Sequence, residues 1–138
     1  MAMWDVDLTT RAGARSAVQM GSVGAFVFAG MGVLGAVLVG GVLAKDSVPA
    51  IGTMIGGGLE AAIGLVAGFR MRAGKGLVWA SVTAVLLCLE MLLKLVTLSI
   101  GGMIISGVVM IYLVNGIRGL RALATRGDFT DDDMDVFS

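Results

Sequence analysis

The chain has no histidine, one cysteine (Cys88) and one proline (Pro49). A single cysteine excludes an internal disulfide, and without histidine there is no Cys/His metal cluster and no histidine-ligated haem. Charge is also scarce. Only 14% of residues are charged, where a soluble domain carries about 25%. The formal net charge is zero, so nothing supports attraction to nucleic acid.

What is present is apolar surface and glycine. Hydrophobic residues make up 57% of the chain, and 22 of its 138 residues are glycine. Mean hydropathy is +0.96. High glycine with high Leu, Val and Ile is the composition of close-packed membrane helices. A disordered chain would lack the apolar residues.

Four apolar runs follow from the charge pattern. Residues 17–44 carry no charge and are too long for a signal-peptide core, so they read as an uncleaved first span. Asp46 or Ser47 can cap the next helix, and Pro49 suits its first turn. The second span is 49–69, with Gly74 and Gly76 as breakers beyond it. The third is 77–98, with Trp79 as an interfacial anchor, and the fourth is 102–117. The basic residues after 117 extend that helix into the headgroup region, and an acidic tail occupies 127–138. Residues 1–16 are a polar leading segment in which Trp4 suits headgroup depth.

Lys and Arg placement gives the orientation. Arg11, Arg15, Arg70, Arg72, Lys75, Arg118, Arg121 and Arg126 fall on one side of a four-span chain, against Lys45 alone in the loops of the other. By the positive-inside rule both termini are cytoplasmic, and the expected setting is a bacterial inner membrane. The expected fold is therefore an all-α integral membrane protein, with four transmembrane helices in two antiparallel hairpins. Arg70, Arg72, Lys75, Arg118 and Arg121 are candidate lipid-headgroup contacts.

The leading site residue is Glu60. It is the one charge within 47–69 and sits mid-span. A carboxylate at that depth costs about 3 kcal/mol, which makes it a functional candidate by default. Glu90 and Lys94 are four apart, in the order that favours an ion pair, and lie somewhat nearer the non-cytoplasmic surface. If the second and third spans pack together, Glu60, Glu90 and Lys94 form one polar cluster. The blander reading is a local Glu90–Lys94 pair that eases insertion.

Small residues spaced by four mark the expected packing faces. Gly52, Gly56, Glu60, Gly64 and Gly68 form one row on the second span. Ala17, Gly21, Ala25 and Ala29 form another on the first, followed by Gly32, Ala36 and Gly40. Such rows bring helices close, within the chain or against a partner. The glycines are not a phosphate loop, since no strand precedes them and no Lys-Ser/Thr follows. The ten methionines read as packing material, Cys88 as a small buried apolar residue, and Asn115 and Tyr112 as hydrogen-bonding groups between helices.

No nucleophile with an evident base is visible, so no catalytic residue, cofactor or metal is expected, and an enzyme is the least favoured reading. The first reading of function is a structural, assembly or accessory subunit. It would bind the bilayer and either copies of itself or a larger membrane complex. The alternative is a small proton- or ion-coupled transporter or channel that uses Glu60 with Glu90 and Lys94. Small multidrug exporters are similar in length, span count and an embedded Glu. The likeness ends there, because Glu60 lies in the second span and the basic residues fix a single orientation. A holin-like pore former is a weaker third reading.

Overall fold

A computed structural model describes residues 6–43, 48–96 and 98–125. The Asp46/Ser47 cap, Trp4, Lys45, Arg126 and the acidic tail lie outside the described residues. The chain is all-helical there, with four helices long and apolar enough to cross a membrane.

Helix α1 spans Arg11–Leu34 and continues as a π-helical segment over Gly35–Leu43. It begins six residues before the charge-free run, because a cap and not hydropathy sets its start. Thr10 adopts an extended backbone, and its hydroxyl accepts the Gly13 N–H at 2.9 Å. Arg11 and Arg15 are therefore helical residues and not part of a preceding tail. The π segment is not signalled by the sequence. Such widening is rare beyond one turn.

Helix α2 spans Val48–Arg72, with Pro49 in its first turn. It stops in a Schellman motif. Gly74 has φ +72°, its N–H donates to the Met71 carbonyl at 2.8 Å, and the Lys75 N–H donates to the Arg70 carbonyl at 2.9 Å. Helix α3 spans Leu77–Val96. It closes in the same way without a glycine: Leu98 takes φ 54° and the Ser99 N–H donates to the Lys94 carbonyl at 3.0 Å. Helix α4 spans Ile100–Thr125 and includes the basic extension beyond 117.

Helix α1 packs on both α2 and α4, and α3 packs on α4 and α2. The contacts explain the glycine content. A Cβ on Gly21 would lie 2.5 Å from the Gly116 Cα, and one on Gly119 would lie 2.6 Å from the Ala14 carbonyl oxygen. On the other side of α1, a Cβ on Gly64 would lie 2.8 Å from the Ala25 oxygen and one on Gly57 would meet the Gly32 oxygen at 2.4 Å. Real Cβ atoms do not approach that closely, so these backbones meet only because the side chains are missing.

Steps of four explain why one row serves two partners. Each step advances about 40° around a helix. The Ala17–Ala29 row on α1 therefore starts against α4 at Ala17 and Gly21 and ends against α2 at Ala25 and Ala29. Larger side chains fill the centre: Phe28, Met71, Leu87 and Leu113 are fully buried. Outward-facing positions carry Val, Leu and Ile, as a lipid-facing surface requires.

Candidate functional site: a polar cluster on three helices

Glu90 and Lys94 pair on α3, and Glu60 lies within electrostatic range of that pair. On α3, the Lys94 ammonium is ion-paired with Glu90 Oε1. The same Nζ donates to Ser106 Oγ on α4 at 2.7 Å, and Ser106 is fully buried. Gly102 gives the lysine stem room, since a Cβ there would lie 3.2 Å from Lys94 Cδ. Lys94 thus ties α3 to α4 and does not simply reach for the surface.

Glu60 approaches from α2. The Gly32–Gly57 contact clamps α2 onto α1, and a Cβ on Gly32 would sit 3.0 Å from the Glu60 Cβ. From there the Glu60 carboxyl lies within charge–charge range of both Glu90 and Lys94. Two carboxyls and one ammonium thus lie within electrostatic range of one another. Among the described residues, Glu90 Oε2 is buried without a hydrogen-bond partner. When all three groups are ionised, one carboxylate is uncompensated. The cluster then calls for a proton, a cation or an external donor.

The other buried hydroxyls do not join in. Thr83 Oγ1 donates to the Trp79 carbonyl at 2.9 Å, and Ser22 Oγ to the Gln19 carbonyl at 2.8 Å. Both are satisfied by their own helices. Asn115 is buried and Tyr112 packs its Cβ on Gly24.

The row on α2 divides. Gly64 and Gly68 face inward, Gly64 onto Ala25 and Ala29, Gly68 under the Phe26 ring. That ring also meets Phe69 edge-on at 5.1 Å and carries the Arg72 guanidinium at 5.4 Å. Gly32 and Gly40 on the first span lie against α2, Gly32 against Gly57 and Gly40 against Ala50 and Met54. Gly52 and Gly56 instead have no atom of another described element within 4 Å of a Cβ placed on them. From Gly52 to Gly68 the row winds about 160°, so its two ends cannot face one helix. The inward face is completed by Gly57 and Ala61, one residue off the row at each turn.

Arg70, Arg72, Lys75, Arg118 and Arg121 are exposed. Cys88 corrects the expectation that it is buried: it is exposed. Helix α3 buries Ala80, Thr83 and Leu87, and Cys88 stands about 100° around from Leu87. Ser106 joins the pair from α4 without a signal in the sequence. A serine in an apolar helix has no distinguishing sequence signal unless the depth of a lysine on the preceding helix is matched to it.

No protein family, curated protein or solved structure matches this chain, so its functional reading rests on these contacts.

Proposed function

We propose that this is a small polytopic membrane protein that acts as an assembly or accessory subunit, with both termini in the cytoplasm of a bacterial cell and its four spans forming two antiparallel hairpins. The carrying observation is the open half of the α2 row. Among the described residues nothing packs on Gly52 and Gly56, and the next residue in the row is the half-buried Glu60. The other rows of small residues are filled by the chain's own helices. A small-residue stripe that ends at a carboxyl suits a transmembrane helix, from a second copy or a larger complex, that brings a hydrogen-bond donor to Glu60. Gly52→Leu with Gly56→Leu is expected to reduce the size of the particle extracted from native membranes. An unchanged particle would remove the basis of this reading.

A second reading has its own support, the gathering of Glu60, Glu90, Lys94 and Ser106 on three helices. In it the excess carboxyl exchanges a proton or cation during transport. Proteoliposome flux that is abolished by Glu60→Gln supports it. Flux that is absent, or indifferent to the substitution, counts against it.

A further inference from the structure

At the basic end of the bundle, α1, the end of α2 and the last turns of α4 enclose a cavity of about 310 Å³. Arg15, Gln19 and Arg72 supply its polar lining, with the backbone around Gly74. Val18, Met71 and Leu123 supply the apolar part. Two arginines from different helices therefore line one mainly polar space with a smaller apolar wall. We infer that this cavity binds the phosphate of an anionic amphiphile, with Arg15 and Arg72 on the phosphate oxygens and the apolar wall beside the glycerol or upper acyl segment.

Three observations support this assignment. The cavity lies within the range of small-ligand sites, about 300–1,000 Å³. Guanidinium matches phosphate geometry and stays charged at any working pH. The site is also built into the fold: Met71 fills the space between Gly21 and Gly116, and the Gly74 turn forms part of the wall. The Arg72 guanidinium rests over the Phe26 ring, which is not part of the lining, so it leaves that ring when it engages the phosphate. Arg118 and Arg121, equally basic and exposed on α4, do not line the cavity. This distinguishes a discrete site from a diffuse basic belt. The inference does not depend on the assembly reading, because it concerns the other end of the bundle.

The full-length protein is purified in a zwitterionic detergent and mixed with equal phosphatidylglycerol and phosphatidylcholine, and retained lipid is counted by native mass spectrometry. One phosphatidylglycerol per chain is expected to be retained over phosphatidylcholine. Arg15→Gln with Arg72→Gln is expected to lower retention about tenfold or more, while Arg118→Gln with Arg121→Gln leaves it unchanged. Helicity by circular dichroism confirms that the variants are folded, and Arg15→Lys with Arg72→Lys, which keeps the charge, is expected to restore part of the retention. Added glycerol phosphate separates the sources. Displacement of the lipid supports a site that takes a free phosphate group as well as a headgroup, and retention of the lipid supports a site that requires the intact lipid. Equal retention of the two lipids, or equal loss from the Arg15/Arg72 and Arg118/Arg121 variants, would overturn the inference. So would full retention by the Arg15→Gln with Arg72→Gln variant.

Discussion

Gly56 and Gly57 are neighbours with opposite surroundings, and alanine at each should have opposite effects. At Gly57 a Cβ would stand 2.4 Å from the Gly32 carbonyl oxygen and 2.9 Å from the Ala36 Cβ. Ordinary contact begins at 3.4 Å, so α1 and α2 must part by about 1 Å or bend. The obstruction is backbone and cannot rotate away. Overpacking of this kind costs about 1–3 kcal/mol, against a gain of about 0.8–1 kcal/mol from alanine's better helix propensity. Gly57→Ala is thus expected to destabilise by up to about 2 kcal/mol net. At Gly56 nothing lies within 4 Å, so only the propensity gain remains, and Gly56→Ala should be neutral to stabilising by up to about 1 kcal/mol. Unfolding in mixed micelles, followed by circular dichroism, measures the difference. If Gly57→Ala proves as stable as Gly56→Ala, the Gly32–Gly57 contact does not hold α1 to α2 and the packing argument fails.

Further outcomes follow from other contacts. Lys94→Met leaves Glu90 without its partner and Ser106 without its donor, which should cost about 3 kcal/mol, and Glu90→Leu with Lys94→Met should cost less than that single change in the same unfolding titration. Leu98→Gly relieves a left-handed leucine and should stabilise by about 1 kcal/mol, provided the exposed side chain contributes little. Thr10→Ala removes the α1 cap, and hydrogen exchange should show fraying near Gly13 worth about 1 kcal/mol. Asp7 accepts the Thr9 hydroxyl at 2.5 Å and the Thr9 N–H at 2.9 Å, and these bonds hold its carboxyl below the ordinary value of 3.8. A lowered folded value means that the turn's support is complete above 3.8 and lost as pH falls through the lower value. Protection of the Thr9 amide should follow that course, and protection that rises on acidification would contradict it.

Much of the architecture was legible in the sequence, because charge-free runs punctuated by basic residues mark spans directly. Helix ends were less legible. Long Arg side chains let α1 start at Arg11 and α2 run to Arg72, so capping by Thr10 and the Gly74 turn, not hydropathy, sets the limits. The π segment over Gly35–Leu43 has no sequence signal beyond its glycines. At the candidate site, Glu60, Glu90 and Lys94 were identifiable as charges at membrane depth. Ser106 was not, because its role depends on which faces of α3 and α4 meet. The glycine row divides for a geometric reason. Steps of four drift off a face within two or three turns, so the row alone could not tell that Gly64 and Gly68 pack inside while Gly52 and Gly56 remain open.

The central claim is that the open Gly52–Gly56 stripe and Glu60 receive another transmembrane helix. Its most direct test is a photo-reactive amino acid placed at Gly52 or Gly56 and irradiated in intact membranes, with exposed Ile104 on α4 as the control position. The expected result is a discrete protein adduct at Gly52 and Gly56, weakened by Glu60→Ala, with Ile104 giving lipid adducts only. Lipid adducts alone at all three positions would contradict the claim.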